Sequence, residues 1–338
     1  MKKYFGICLF ILFISACSHQ SKRANAERIK DLKYLTITDS VYSTFPSQLY
    51  YQNGKLYWED AFASDYFMHM LDAKTGKELY KFARNGNGPC ELNSCHRISL
   101  IPQGGLCGLD LAHHAALYKP SGDTLREIPE YIFGGGNWTN CIAIDDTTVV
   151  YLYPGKGIPF KFQRNNRHTC FGHLPLNEYL REDERYNQFQ GVIHYNSEKK
   201  VLVYAPLHIP YLAVYDLSKQ KYKLKKEAFE FFKYTVQSNG ELHLGEHTPG
   251  IQDMNITKDY IITIKHDEKY ESTLNIKKDH DLTTYLPYSA FVYDYDLNLV
   301  KILNFPFRVL CIGGDLQSND VYLMALKDDY EIVKISIP

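Results

Sequence analysis

The sequence predicts an all-β protein folded as a six-bladed β-propeller, with four antiparallel strands in each blade. Three observations support this fold class. Aromatic residues make up 14% of the chain, including 28 tyrosines, and such half-polar rings suit pleated sheet surfaces better than helices. Two series of polar turns alternate along the chain, and the first series recurs at intervals of about 40 to 60 residues. That spacing is typical of a four-stranded propeller blade and too long for leucine-rich or ankyrin repeats.

Each turn of the first series precedes a β-rich run, as in a hairpin, and each turn of the second series follows a strand end. The first series contains Asn53-Gly54-Lys55, Gln103-Gly104-Gly105, Asp145-Asp146-Thr147, Glu198-Lys199-Lys200, Lys258-Asp259 and Ser318-Asn319-Asp320. The second contains Asp72 to Gly76, Pro120 to Asp123, Arg164 to Asn166, Asp216 to Lys219, Asp294 to Asn298 and Lys327 to Asp329. Gly, Asn and Asp suit these positions because they tolerate positive φ or cap their own turn. Two hairpins per unit give four strands per blade.

The ends of the chain are expected to close the ring, because a propeller keeps its sheet edges short only if its ends are joined. The strand-like segment Tyr34 to Thr38 should complete the last blade by pairing with Tyr330 to Ile337. The charged stretch from His266 to Tyr288 is interpreted as an extended loop of the fifth blade. The six blades are predicted at residues 45–90, 96–135, 139–175, 190–235, 250–305 and 308–338.

The N-terminus has the pattern of a secretory signal. Lys2 and Lys3 precede an apolar run of about a dozen residues, whereas a helix that spans a bilayer needs about 20. The tetrapeptide Ile14-Ser15-Ala16-Cys17 then resembles the cleavage site of bacterial lipoproteins. This resemblance implies a membrane anchor of acyl chains on Cys17, in an outer-membrane lipoprotein of a Gram-negative bacterium.

The predicted domain organisation follows from the signal and the ring. It consists of a signal peptide at 1–16, a lipidated polar tether at 17–32 and the propeller domain at 33–338. Ser18 to Lys22 lacks the acidic run that surface-exported lipoproteins of this kind tend to show, so the periplasmic side is favoured over the cell surface.

Charge excludes one class of partner. The formal net charge of -1 becomes about -3 when Lys2 and Lys3 leave with the signal, since the signal contains no acid. A chain so close to neutral does not favour nucleic acid. We expect a monomer.

The cysteine pattern leaves disulfide pairing open. Once Cys8 leaves and Cys17 carries lipid, six cysteines remain, and Cys90 and Cys95 are close enough in sequence to bridge. The alternative is a set of free thiols buried in strands, which suits the apolar surroundings of the cysteines at 107, 141 and 311 better. A CxxC pair, which zinc ribbons and thioredoxins need, does not occur in the sequence.

The stretch Arg84 to Leu92 poses the choice between a phosphate-binding loop and a turn. A phosphate cradle needs a helix directly after its glycines, and Pro89 and the residues after it have no helical period. We therefore predict a turn between the first and second blades.

This turn also carries a family resemblance. Gly86-x-Gly88-Pro89-x-Glu91 resembles the glycine-proline-glycine-glutamate turn of the TolB-like six-bladed propeller lipoproteins of Bacteroidota, although Cys90 stands where that family has glycine. The resemblance implies a propeller in the cell envelope. Similar propellers serve as protein-docking surfaces, and some carry lyase or hydrolase sites in the central channel.

Signs of catalysis or metal binding are few. Asp110, His113 and His114 form the most metal-like cluster, but neighbouring side chains on a strand point to opposite faces. His243 and His247 have the i, i+4 spacing of a helix, yet Gly245 and Pro249-Gly250 favour a loop. Neither a Gly-x-Ser-x-Gly elbow nor a His-Glu-x-x-His motif occurs. We expect neither metal nor cofactor.

Asn177 to Arg185 is predicted as a short helix that Asn177 caps, with charges that indicate a solvated connection rather than a site.

A candidate binding face is assembled from residues beside the crossovers between blades and beside the connections of second to third strands. Its members are Trp58, Asp60, Arg84, His96, Arg97, Asp110, His113, Trp138, Tyr153, His208 and Arg308. Trp58 and Trp138 are candidates for stacking on sugars or peptides, and the alternative is that they pack between blades.

Two functions are consistent with this sequence. The first is an envelope lipoprotein that binds or docks a protein, peptide or glycan. The second is an enzyme with its site in the channel, such as a metal-assisted lyase or hydrolase acting on a glycan or peptide. The lack of a catalytic motif favours the first.

Overall fold

The computed structural model describes the greater part of the chain after residue 25. The described ranges are 26–39, 41–43, 45–88, 90–93, 97–102, 104–110, 115–129, 139–145, 147–164, 167–218, 222–230, 232–245, 250–274 and 285–338. Cys17 and the predicted signal peptide lie outside these residues, as do His96, His113 and Trp138.

Six antiparallel blades of four strands form the propeller in the described part of the chain, which confirms the predicted fold class. Blades 1 to 3 contain β3 (Pro46–Gln52), β4 (Lys55–Asp60), β5 (Tyr66–Asp72), β6 (Glu78–Arg84); β7 (Arg97–Leu100), β8 (Leu106–Leu109), β9 (Ala115–Ser121), β10 (Thr124–Pro129); and β11 (Asn140–Asp145), β12 (Thr148–Leu152), β13 (Phe160–Arg164), β14 (Arg167–Phe171). Blades 4 to 6 contain β15 (Gly191–Asn196), β16 (Val201–Pro206), β17 (Tyr211–Asp216), β18 (Lys223–Phe229); β21 (Asp253–Ile256), β22 (Tyr260–Ile264), β23 (Ser289–Asp294), β24 (Leu299–Asn304); and β25 (Arg308–Gly314), β26 (Asp320–Leu326), β27 (Tyr330–Ser336), β2 (Leu35–Thr38).

The first strand of each blade, called the inner strand, lies beside the inner strand of a neighbouring blade. The crossovers between blades and the connections of second to third strands form one face, called the crossover face. The turns after the first and third strands form the opposite face, called the turn face.

The turn chemistry explains the hairpins. Asn53 and Gly54 both have positive φ, 51° and 77°, as the two-residue turn between β3 and β4 requires. At the next turn of blade 1, the Asp72 carboxylate accepts the N–H groups of Lys74 and Thr75, at 3.1 and 2.7 Å. These two positions were predicted as turns.

The last turn of the second series connects a different pair of strands from the other turns of that series. Lys327 to Asp329 joins the second and third strands of blade 6, whereas the other members join third and fourth strands. The reason is that the fourth strand of blade 6 comes from the N-terminus, so a turn after β27 is not needed.

Ring closure occurs as predicted, through β2. Leu35 and Thr36 pair with Lys334 and Val333 in an antiparallel ladder, which makes β2 the outer strand of blade 6. The turn of blade 1 packs closely on this strand, since a Cβ added to Gly76 would lie 2.1 Å from the Ile37 carbonyl oxygen. The N-terminal strand therefore ties the last blade to the first.

A further strand, β1 (Glu27–Ile29), adds to blade 5 in parallel with β24. The sequence assigned this stretch to the polar tether. In the structure Arg28 forms an ion pair with the buried Asp267, and Lys301 lies 3.3 Å from Glu27. The segment before the ring thus also contacts the propeller.

Short elements lie in the connections on the crossover face. They are 3-10 helices at Pro154–Lys156 and Asn177–Tyr179, α1 (Glu182–Gln188), the hairpin β19 (Tyr234–Val236) with β20 (Leu242–Leu244), and α2 (Glu268–Glu271). The predicted helix therefore begins later than expected, with Arg181 at its N-cap position. Extended backbone at Leu180 and Arg181 separates the preceding turn from the helix, and the Arg185 guanidinium connects the two by donating to the Asn177 carbonyl oxygen at 3.2 Å. His243 lies in β20 rather than in a loop.

The core lies between blades. Each of six clusters of buried hydrophobic side chains, as far as the described residues show, combines side chains of two adjacent blades. In β16, Leu202 and Tyr204 face blade 3, while Val201 and Val203 face blade 5. Because both faces of a blade are covered, its second strand is a continuous apolar run instead of an alternating one.

We expect the N-terminal strands to contribute unequally to stability. A chain that begins at Lys33 loses β1 only, and one that begins at Val41 also loses β2. Relative to a chain that begins at Ala26, the shorter truncation should lower the free energy of unfolding by about 1–2 kcal/mol, and the longer one by about 3 kcal/mol or more. Urea unfolding measures both, and equal stability of the Val41 and Ala26 chains would contradict the role of closure.

Candidate functional site: the central channel

The inner strands of all six blades line a cavity of about 320 Å³ on the propeller axis. Gln48 and Gln252 line it near the crossover face, and Asn53 and Asp315 line it near the turn face. The cavity therefore extends along the axis as a central channel.

Primary amides hold neighbouring inner strands together around the channel. Asn140 of blade 3 donates to the Gly191 carbonyl oxygen of blade 4 at 2.9 Å, and its Oδ1 accepts the Cys141 N–H at 2.8 Å. Asn255 of blade 5 donates in the same way to the Ile312 carbonyl oxygen of blade 6 at 2.8 Å, and its Oδ1 accepts the Ile256 N–H. Both side chains are buried, at 8% and 7% exposure.

Gln52 repeats this arrangement between blades 1 and 2. Its Nε2 donates to the Ile101 carbonyl oxygen at 2.8 Å, and its Oε1 accepts the Gly105 N–H at 3.2 Å. Because each amide is held at both its oxygen and its nitrogen, the orientation of its two ends is fixed by the bonds.

A hydroxyl and a carboxylate complete further contacts of this type. Ser99 Oγ of blade 2 accepts the Ala143 N–H of blade 3 at 2.7 Å. The Asp253 carboxylate of blade 5 accepts the Ile312 N–H of blade 6 at 2.9 Å. Such bonds satisfy backbone groups on inner strands, which have no further strand on the channel side.

His194 lines the channel wall of blade 4. Burial lowers the pKa of its imidazole from 6.5 to about 4, and a hydrogen bond with the Met254 backbone offsets part of that shift. His194 is therefore neutral at pH 7.

A buried carboxylate lies beside the channel in blade 1. Glu59 is 2% exposed and accepts hydrogen bonds from the Ser47 hydroxyl and from Gln48 Nε2, the latter at 2.7 Å. Burial, followed by the charges of Asp253 and Glu59, raises the pKa of the Cys311 thiol. That thiol is consequently protonated and unreactive at neutral pH.

The predicted binding residues that the structure describes do not line this cavity. Trp58 is 4% exposed and stacks on His69 with ring centroids 4.0 Å apart, so it packs inside the protein. Asp60 accepts the Ser43 hydroxyl at 2.8 Å, and the exposed Arg84 lies 3.7 Å from Glu91.

The remaining described members are also dispersed. Asp110 is fully buried and accepts the Asn93 N–H at 3.0 Å. Burial raises the pKa of Tyr153 to about 12, and Lys161 lies over its ring. His208 is exposed, and Arg308 donates to the Tyr288 hydroxyl at 3.0 Å.

Arg97 is the first residue of β7, and only its backbone is described. That the eleven candidates bind a ligand stays a prediction.

Sequence reasoning missed the channel amides. It placed candidates in connections, whereas Gln52 and Asn140 are the last and first residues of inner strands and Asn255 lies inside one. A single amide within a buried apolar strand was the available signal, because such a group needs a partner.

The glycine stretch forms a turn with its own internal anion. Glu91 Oε2 accepts the Gly88 N–H at 2.7 Å, and a Cβ added to Gly86 would lie 2.1 Å from the same oxygen. The glutamate thus occupies the place that a bound phosphate would need. Cys90 has a φ of 68°, a conformation that favours glycine, which is the residue found there in the resembling family.

The cysteines of the described residues are free thiols. Cys107, Cys141 and Cys311 are buried, Cys90 is half-buried and Cys170 is exposed. Cys95 lies outside the described residues.

The described part of the chain has neither a cluster of metal ligands nor a helix that could span a membrane. In those ranges, groups of three His, Cys, Asp or Glu side chains placed to share an ion do not occur. The described helices are all too short or too polar to cross a bilayer.

These features define a closed, six-bladed, all-β propeller with a polar axial channel. A family model described as "TolB-like 6-blade propeller-like" matches residues 25–313, and the chain belongs to this family. Propellers of this family are periplasmic or envelope-associated. A search of curated proteins gave no match.

Solved structures share the fold at low sequence identity. A member of the DUF4221 family from Bacteroides vulgatus is similar, with a TM-score of 0.58 at 12% identity over 89% of this chain and 95% of that chain. The β-propeller domain of Cps50 (Swd1) from Myceliophteria thermophila has a TM-score of 0.50 at 9% identity over 90% of this chain and 100% of that chain. Likeness at these identities shows the fold alone.

The neutral His194 should make the fold sensitive to acid. Its folded-state pKa of about 4 lies below the unfolded value of 6.5, so the unfolded chain binds a proton first as the pH falls. The stability that neutral His194 supports is therefore complete above pH 6.5 and is lost as the pH falls towards 4. Between pH 7.5 and 5, the wild type should lose about 2 kcal/mol more unfolding free energy than His194→Gln. Urea unfolding at both pH values measures this difference, and parallel losses in the two proteins would contradict a depressed pKa.

Proposed function

We propose that this protein is an envelope lipoprotein that binds or docks a protein, peptide or glycan at the crossover end of its central channel. The observation that carries the proposal is the cavity on the axis, which has both polar and apolar groups in its wall and is lined by the inner strands of all six blades. Binding sites of this kind are typically concave and largely pre-formed, with a few polar groups held in place. The propeller fold suggests a binding or scaffold role.

The crossover end is favoured over the turn end by the elements that surround it. Leu207, in a connection on the crossover face, lines the cavity, and the exposed Gln252 lies at the same end. Additional elements border this side at blade 4, where Arg181 in the crossover before that blade donates its N–H to the Gly240 carbonyl oxygen of the β19–β20 hairpin at 3.2 Å. As far as it is described, the turn end is formed by short turns, such as that of Asp315, whose carboxylate accepts the Gln317 N–H and the Ser318 hydroxyl.

A channel-site enzyme lacks a specific observation in its favour. The metal-like cluster of the sequence depended on His113, which lies outside the described residues, and Asp110 bonds the Asn93 backbone. We therefore propose binding without catalysis.

The lipid anchor proposed on Cys17 would fix how the propeller faces the membrane. β1 runs parallel to β24, which starts from the turn face, and Ala26 packs against the cluster of buried side chains that includes Tyr295 and Leu297 of that turn. The chain before Ala26 therefore leaves towards the turn face. The nine residue-to-residue steps from Cys17 to Ala26 reach at most about 30 Å, so the turn face would lie near the membrane and the crossover face away from it.

Membrane energy transfer tests this orientation. In a Cys170→Ser background, a donor dye on Asp296→Cys at the turn face should be quenched several-fold more strongly by acceptor lipids than the same dye on Tyr42→Cys, which is 87% exposed on the crossover face. Equal or reversed quenching would contradict the orientation. A Cys17→Ser protein that still associates with vesicles would instead contradict the lipid anchor.

Retention of envelope components tests the binding function. We expect immobilised protein to retain a protein or glycan from envelope extracts, and Leu207→Trp to reduce that retention about 10-fold or more by filling the channel mouth. Asp296→Trp on the turn face is the matched control and should retain the component as the wild type does. A wild type that retains nothing, or equal retention by both variants, would contradict the proposal.

A further inference from the structure

The chemistry of the channel wall indicates which ligand it would hold, an inference that rests on the proposed function. A primary amide has two N–H donors and an oxygen with two lone pairs. Gln52, Asn140 and Asn255 each use one donor and one lone pair in the bonds between blades. Each therefore keeps one N–H and one lone pair that no described residue uses, on a side chain whose orientation is fixed.

These remaining groups come as donor and acceptor pairs along one cavity. A hydroxyl both donates and accepts at one atom, so it matches such a pair. An anion needs donors alone, and a cation needs acceptors alone. The arrangement therefore favours a ligand that carries several hydroxyls.

Charge on the wall leads to the same class of ligand. The described residues that line the cavity include neither lysine nor arginine, so a phosphate or carboxylate would lack a counter-charge. The carboxylates that line it, Asp253 and Asp315, accept backbone N–H groups and so serve the protein's own structure. His194 is neutral at pH 7 for the reason given above.

The size of the cavity narrows the class of ligand further. A volume of about 320 Å³ is at the small end for a ligand pocket, which suits one or two sugar rings better than a polymer. A free peptide carries charged termini, for which the described wall has no counter-charge.

We propose that the central channel binds an uncharged sugar of one or two rings near its crossover end, held by the half-used amides of Asn140 and Asn255 and by Gln252 at the mouth. The side chain of Gln252 makes no hydrogen bond to the described residues and lines the cavity, so its whole amide is available.

The test compares matched neutral and charged probes on the full folded protein. Ligand-observed NMR titrations would use glucose, N-acetylglucosamine and maltose, with glucuronate and glucosamine as charged analogues of glucose and a blocked dipeptide as the peptide probe. We expect at least one neutral sugar to bind below about 10 mM and at least 10-fold more tightly than its charged analogues. Gln252→Leu should weaken that sugar at least 5-fold, while Lys225→Leu on the exposed outer strand of blade 4 should leave it unchanged.

Three outcomes would overturn the inference: no neutral sugar bound at 20 mM, glucuronate bound as tightly as glucose, or the blocked dipeptide bound more tightly than every sugar. If envelope components are still retained in a Leu207-dependent way while the sugars fail, the sugar inference is wrong and the proposed binding function stands. Circular dichroism of Gln252→Leu separates lost binding from lost folding.

Discussion

Backbone groups on the inner edges of six sheets must be bonded where those edges converge on the axis. The outer edge of a blade faces solvent, and water satisfies its N–H and C=O groups. The inner edge faces a narrow channel beside the next blade, and side chains of the neighbouring blade take the place of a further strand. Asn140, Asn255, Ser99 and Gln52 supply those bonds. The same residues make the channel polar, so the demands of folding and the chemistry of the site are linked.

Closure of the ring keeps these inner contacts in register. The second strand of a blade is buried on both faces, so each blade needs two neighbours, and an open ring would expose the facing sides of blades 1 and 6. β2 prevents this by pairing with β27 while its Ile37 packs in the cluster between blades 6 and 1. A displaced blade would also misplace the amide that it contributes to the next one. The geometry of the channel therefore depends on a strand at the periphery.

Much of this architecture was predictable from the sequence, because turns and closure depend on local chemistry. Asn53-Gly54 indicates a hairpin by itself, and an unpaired β-rich segment near the start implies a partner at the end. The sequence analysis missed that Lys327 to Asp329 joins the second and third strands of blade 6. This connection depends on which end of the chain supplies the fourth strand of that blade. The pairing of β1 with β24 was missed because three residues are too few to show a strand pattern. The ion pair that holds Arg28 is formed with Asp267, which is remote in sequence.

The channel residues were harder to predict than the fold. An amide such as Asn255 has the same local pattern whether it bonds a neighbouring blade or faces solvent, and only the packing of two blades separates the cases. Reasoning from connections favoured residues such as Trp58, which the structure buries against His69. The residues that line the channel come from the inner strands, because the two neighbouring blades fix the position of each of these strands.

Amide hydrogen exchange in Ser99→Ala tests most directly whether side chains take the place of a strand at the inner edges. Ser99 Oγ accepts the Ala143 N–H, and the Ile312 N–H is bonded to a different side chain, Asp253, elsewhere in the channel. The account predicts that exchange at Ala143 accelerates at least 10-fold in the variant while Ile312 keeps its protection. Unchanged protection at Ala143 in a folded Ser99→Ala protein would contradict it.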